Sequence, residues 1–334
     1  TRNNIVRNNI LKDNRVVDSQ GLEMEVYEYG GITNSAENNR VYNNVITNIL
    51  SGAQALSIRR GNGAGYAQNN IFKNNAVYNN GGTHYQTDVD GSFPVNTKNV
   101  QLGIAADSNV RNNYFFNNLF YKSDDTNILW VNNQITTVNT IQTANPSFFQ
   151  NNLQLDPKLD SAFKPMSGSP VIDAGSFLTT VSSPSGSGSS LSVADSKYFF
   201  DGYGIVTGDT IQIGNQTAII TSINYTTNTL TLNKSISWTN GQGVSLPYNG
   251  SKPDIGAYEY GGISTPSPSP SSGPAVCDLN KDNSTNILDL QYLANIILGI
   301  SLNPGSADLN KDSQTNILDL QYLANVILGN NLCQ

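Results

Sequence analysis

Four times in the first 120 residues, an Asn-Asn pair returns five residues after another Asn-Asn pair. The segments are RNNIVRNNIL from Arg2, ENNRVYNNVI from Glu37, QNNIFKNNAV from Gln68 and RNNYFFNNLF from Arg111, and they align without gaps. Their starts lie 35, 31 and 43 residues apart. An internal repeat of this period has to be read before any single element, because each unit buries its apolar face only against its neighbours. The uneven spacing suits stacked coils joined by loops of different length.

The physical reading is a parallel β-helix. Short apolar pairs such as Ile5-Val6 and Ile71-Phe72 are strands that turn alternate side chains into a narrow core. Asn at a corner tolerates left-handed backbone geometry. Stacked Asn side chains can also bond to backbone and to one another in ladders. A disordered Asn-rich tract is the alternative, and the regular apolar residues between the pairs oppose it.

The same residues resemble the right-handed parallel β-helix proteins of the pectin-lyase-like superfamily. The stretch ANPSFFQNNLQLDPKLDSAFKPMSGSPVIDAG, Ala144 to Gly175, is similar to the C-terminal end of secreted bacterial β-helix proteins, and KPDIGAYEY, Lys252 to Tyr260, to their closing strand. In that family the two pieces stand close together, so an insert is implied between them. The insert reads as strands at Thr210–Ile213, Thr217–Ile223 and Thr229–Leu232, flanked by Tyr198–Phe200 and Val244–Leu246. A small β-barrel or β-sandwich is expected. The organisation is then an all-β coil domain over 1–178 closed by 252–260, an inserted β domain over 179–251, a linker over 261–275 and a C-terminal domain over 276–334.

The linker, GGISTPSPSPSSGP, is of the extended Pro/Ser kind found between modules of secreted proteins. Low charge (13%) with a polar balance of Asn, Ser, Thr and Gly points to a turn-rich extracellular protein. The net charge of −7 without a basic cluster speaks against a nucleic-acid partner, and no apolar run is long enough to span a bilayer. Thr1 stands without an initiator Met or an export signal ahead of it, so processing or truncation there is expected.

Two loops lie thirty residues apart in the C-terminal domain, DLNKDNSTNILD from Asp278 and DLNKDSQTNILD from Asp308. Counted from the first Asp, side-chain oxygens fall at positions 1, 3, 5, 9 and 12. In the first loop these are Asp278, Asn280, Asp282, Asn286 and Asp289; in the second, Asp308, Asn310, Asp312, Asn316 and Asp319. Ser284 and Gln314 at position 7 would add backbone carbonyls. A hard cation such as Ca²⁺ takes six to eight oxygens in this order, so two Ca²⁺ sites are expected. Position 6 is Asn283 or Ser313 instead of Gly, and Ser accepts left-handed geometry less well. After each loop an apolar stripe, Leu290, Leu293, Ile297 or Leu320, Leu323, Ile327, marks a helix, and Gly299 and Gly329 mark its stop.

Asp at position 12, where an EF-hand has Glu, matches the dockerin family, which 276–334 resembles as a whole. That resemblance implies docking onto a cohesin domain. Positions 10 and 11 are Ile287-Leu288 and Ile317-Leu318, an apolar pair that suggests a different cohesin class or another apolar surface, and the near-identity of the repeats makes two binding orientations conceivable. Cys277 and Cys333, the only cysteines, bracket the repeats. A disulfide there would clasp the two ends and fit an oxidising compartment; two free thiols are the alternative.

Catalytic candidates on the coils are thin. A polysaccharide lyase needs a base and a group that neutralises a uronate; a hydrolase needs two carboxylates. Glu23 and Glu25 share one face of LEMEVYEY, Arg59 and Arg60 follow a strand, and Asp88 and Asp90 lie near His84. Nothing in the sequence joins them, so catalytic residues are unknown. The expectation is an extracellular, calcium-binding, carbohydrate-directed protein attached by its C-terminal module. The alternatives are a structural or adhesive protein whose module joins neighbouring copies, and an active lyase.

Overall fold

The computed structural model describes residues 2–13, 22–26, 28–29, 32–33, 35–49, 54–60, 65–81, 100–131, 133–262, 277–280, 285, 287–300 and 307–327. The chain divides into two compact units, 1–263 and 264–334. It is mostly β, and among the described residues no helix is long and apolar enough to cross a membrane.

The Asn repeats build parallel sheets. Ile5–Arg7, Arg40–Tyr42, Ile71–Lys73, Tyr114–Phe116 and Phe149–Gln150 lie side by side in that order. Ile10–Lys12, Val45–Thr47, Ala76–Tyr78 and Leu119–Tyr121 form a second sheet, in the register Ile10↔Val45, Val45↔Ala76 and Ala76↔Leu119. Leu22–Val26, Gln54–Arg60, Val100–Ile104 and Leu129–Val131 form a third, which Gln134–Thr136 ends by pairing antiparallel. Each repeat therefore contributes one strand to each sheet in turn. Between the sheets lies a narrow core of Val41, Ile46, Leu56, Ile58, Leu102 and Phe120 with the stacked rings of Phe72, Phe115 and Phe149. Their centroids are 4.8 and 4.7 Å apart.

The two residues of each Asn pair do different work. The first takes the left-handed conformation at the corner, with φ of 56° at Asn3, 58° at Asn38, 57° at Asn69 and 52° at Asn112, and 53 to 56° at Asn8, Asn43, Asn74 and Asn117. The second turns inward and forms a ladder. Asn9, Asn44, Asn75, Asn118 and Asn152 each pass Nδ2–H to the Oδ1 of the next, at 2.9 to 3.0 Å. Asn4, Asn39, Asn70 and Asn113 form a second ladder at 2.8 to 3.0 Å. Every such Oδ1 also accepts the backbone N–H of the preceding rung, as Asn118 does from Asn75 at 3.0 Å. Buried polar groups are tolerated because each is paired.

Residues 179–245 add a six-stranded antiparallel sheet in the order Thr179–Thr180, Gly243–Ser245, Thr210–Ile213, Gln216–Asn224, Thr229–Trp238 and Gly186–Ser192. Its two edges meet through a bridge between Val181 and Val193, which closes the sheet on a core of Leu191, Ile211, Ile220, Leu230 and Val244. One expectation is corrected here, and one strand was not expected. Tyr198–Phe200 is no strand: Asp195 accepts the N–H of Lys197 and starts a 3₁₀ turn over Ser196–Tyr198. Strand Gly186–Ser192, unexpected from GSGSSLS, forms because it pairs with Thr229–Trp238. The sheet sits in the same compact unit as the coils. Ion pairs Arg7–Asp209 and Arg40–Asp195, both at 2.7 Å, tie it to the outer face of the first sheet.

Lys252–Tyr260 is also no strand. It is an irregular segment held by Ile255 N–H to Val171 O at 3.1 Å and Gly256 N–H to Asn74 O at 2.8 Å, with Ile255 packed on Val45, Ala76 and Leu119. Gly175 packs so closely that a Cβ there would stand 2.5 Å from Pro253 O.

Candidate functional site

In the C-terminal unit, α2 (Ile287–Ile297) and α3 (Ile317–Ile327) each follow one acidic loop, α1 being Val138–Ala144 in the first unit. Leu293 and Leu323 are fully buried and Leu290, Ile297, Leu320 and Ile327 pack beside them, with Leu279 and Leu309 contributed by the loops. The apolar stripes thus face one small shared core. Gly299, at φ of 71°, ends α2; Gly329 lies outside the described residues.

Asp289 and Asp319, at position 12 of their loops, are both 0% exposed. Each reaches back over its loop: Asn280 N–H donates to Asp289 Oδ1 and Asn310 N–H to Asp319 Oδ1, both at 3.1 Å. Asp319 also accepts from Leu309 N and Asn316 N, each at 2.8 Å. Asp308 accepts from the N–H groups of Asp312 and Ser313 at 3.1 and 2.8 Å, and Asp312 Oδ1 from Gln314 N–H at 2.9 Å. Asn310 donates Nδ2–H to Asp312 Oδ2 at 3.0 Å, and Asn316 Oδ1 accepts Leu318 N–H at 2.8 Å. Ser313 adopts φ of 71°, the left-handed turn that position 6 demands, at a cost of about 1–2 kcal/mol for a residue with a Cβ.

Of the expected ligands, Asp278, Asn280 and Asp289 in the first loop and all six in the second are described; Asp282, Ser284 and Asn286 lie outside the described residues. Among the described residues no three His, Cys, Asp or Glu side chains gather as a metal cluster. The donor chemistry nonetheless fits a hard cation: every donor expected from the second loop is an oxygen, and a buried carboxylate closes the loop.

The residues just before that carboxylate point outward. Ile287 and Leu288 are 64% and 51% exposed, and Ile317 and Leu318 are 65% and 51%. Two equivalent apolar pairs on one small unit form a repeated surface feature. Cys277 is buried, and Cys333 lies outside the described residues.

On the coils, the third sheet brings two of the sequence candidates together. Glu23 and Arg59 form an ion pair, with Glu25 in register opposite Arg59 and Val26 opposite Arg60. Asp88, Asp90 and His84 lie outside the described residues. A second basic group, invisible in the sequence, is Lys73. Burial brings its ammonium down to about 8 against the opposing pull of Asp195, with Arg40 adding a smaller push in the same direction as burial. That value suits a general base, but Lys73 Nζ donates to the carbonyls of Phe177 and Leu178 at 3.1 and 3.0 Å and lies over the Tyr198 ring. It anchors the antiparallel sheet and has no open face toward a substrate.

Residues 276–328 match the dockerin type I domain family. No curated protein and no solved structure matches the chain.

Proposed function

We propose that this chain is an extracellular modular protein whose dockerin unit docks onto a cohesin domain, or another apolar protein surface, and so attaches a right-handed parallel β-helix directed at carbohydrate. The observation that carries the attachment is the doubled Ile-Leu pair, more than half exposed in both repeats. An exposed aliphatic pair stabilises nothing in the monomer, and it gains its burial only against a partner.

Two Ca²⁺ ions complete the unit in this reading, held by Asp278, Asn280, Asp282, Asn286 and Asp289 with the Ser284 carbonyl, and by Asp308, Asn310, Asp312, Asn316 and Asp319 with the Gln314 carbonyl. The ions supply folding free energy, which a core this small needs. Cys277 and Cys333 close the unit as a disulfide, consistent with the burial of Cys277 and an extracellular setting.

The test is binding of the full chain to a panel of immobilised cohesin domains, with calcium and with a chelator. Binding that needs calcium, survives the pair Ile287→Asp and Leu288→Asp alone, and disappears when Ile317→Asp and Leu318→Asp are added, is expected. No binding to any cohesin in calcium overturns the cohesin reading. Concentration-dependent self-association in its place would favour a module that joins neighbouring copies.

A further inference from the structure

The chain leaves the second parallel sheet at Tyr121 and enters the third at Leu129. In the strand Leu119–Tyr121, Phe120 belongs to the inner core, so by the alternation of strands Tyr121 turns to the outer side. The loop that follows is tied at both ends. Ser123 N–H donates to Asn79 Oδ1 at 3.0 Å, and Gln154, from the next coil, donates Nε2–H to Thr126 O at 2.7 Å. Asp125 Oδ1 accepts Asn127 N–H at 2.9 Å just beyond the bend. Residues 121–126 and Gln154 line an open cavity of about 490 Å³. That volume falls within the roughly 300–1,000 Å³ of small-molecule sites.

Lys122 is the unusual part of that lining. Its side chain is only 15% exposed, yet its ion-pair partner Asp124 Oδ1 stands 3.6 Å from Nζ, beyond hydrogen-bond reach. Among the described residues, neither side chain makes a hydrogen bond. An ammonium has three donors and no acceptor, and a carboxylate only accepts. Polar groups this well covered are as a rule paired, so the donors of Lys122 are available to whatever enters the cavity. A ligand that satisfies both walls brings acceptors to Lys122 and donors to Asp124 and Asp125. Neighbouring hydroxyl groups on one ring do both, and Tyr121 adds an aromatic wall.

We propose that this cavity binds one ring of a neutral saccharide, with adjacent hydroxyls held by Lys122 and Asp124; the inference rests on the carbohydrate-directed reading above and names its site. Neutrality follows from the charges of the lining. One ammonium, Lys122, faces two carboxylates, Asp124 and Asp125, so the cavity carries a net −1 and repels a uronate.

The experiment is a binding screen of the full chain against neutral oligosaccharides (gluco-, xylo- and manno-configured) and against oligogalacturonates. Calorimetry with the tightest binder then compares Lys122→Met and Asp124→Ala with Lys234→Met, an exposed lysine of the antiparallel sheet. A neutral binder is expected, weakened roughly tenfold by either cavity change, about one hydrogen bond, and unaffected by Lys234→Met. Neither cavity side chain is hydrogen-bonded in the free protein, so the melting temperature should hold in both variants, which a purely structural role would not allow. Binding of acidic sugars only, or a neutral binder indifferent to both cavity changes, overturns the site while leaving the carbohydrate reading standing. No binding of any saccharide overturns both.

Discussion

Tyr42 donates its phenolic O–H to the carbonyl oxygen of Tyr198 at 2.6 Å, joining two residues 156 positions apart. Tyr42 lies on the outer face of the first parallel sheet and Tyr198 ends the 3₁₀ turn of the antiparallel one. Both are buried, their rings meet edge to face at 5.7 Å, and burial raises both phenols well above the ordinary tyrosine value. Tyr42→Phe keeps the ring contact and orphans a buried carbonyl. A loss of about 1–2 kcal/mol is expected in urea titrations followed by tryptophan fluorescence. Trp130 and Trp238, the only tryptophans, both lie in the 1–263 unit, so that signal reports this unit alone.

The two Asn residues of a pair should respond differently to substitution. Asn75→Ala breaks a rung between Asn44 and Asn118 and is expected to cost about 2–3 kcal/mol, as an interrupted buried polar network does. Asn8, exposed and at φ of 53°, should tolerate Gly to within about 0.5 kcal/mol but lose about 1 kcal/mol to Ala. Equal losses at both sites would refute the division of labour.

Glu259 gives the first unit a pH dependence. Burial, then the neighbouring Asp254 charge, pushes its carboxyl up to about 7, although it accepts the N–H groups of Asn249 and Asp254. Its folded value is above its unfolded one, so its contribution is fully present below about pH 4.5 and is lost as pH rises through 7. Thermal melts at half-unit steps from pH 4.5 to 8 should show this component in the native chain and not in Glu259→Gln. The variant is less stable overall, because its amide nitrogen faces a backbone donor.

Removing calcium should act on the other unit. Chelation is expected to reduce the far-UV helical signal of α2 and α3 while tryptophan fluorescence stays unchanged. Asp319→Ala, which removes a buried acceptor of three backbone N–H groups, should do the same in the presence of calcium. A helical signal indifferent to chelator would remove calcium from the account.

Cys277 and Cys333 should resist maleimide in the denatured, unreduced protein and take up two labels after reduction. Cys333→Ser is expected to cost roughly 4 kcal/mol in the second unit if the clasp forms. Labelling without reduction would leave the thiols free.

Left-handed corners and stacked Asn ladders were both legible in the Asn pairs, but which Asn of a pair takes which role emerges only when the coils stack. Ser313, at position 6 of the second loop, takes the left-handed conformation that its place in the sequence calls for. What escaped depends on distant partners. GSGSSLS is a poor strand by composition and becomes one through Thr229–Trp238, while Arg7 and Asp209 meet across 202 residues.

The ladder has a consequence for how such a chain can change length. A rung at Asn44 must meet a rung at Asn75, so the ten-residue frame from Glu37 to Ile46 admits no insertion or deletion without shearing both ladders. Spacings of 35, 31 and 43 residues occur because all variation is exiled to the segments outside that frame. The protein can lengthen by whole turns or by side loops, and by nothing in between: its Asn residues are a ruler that quantises descent.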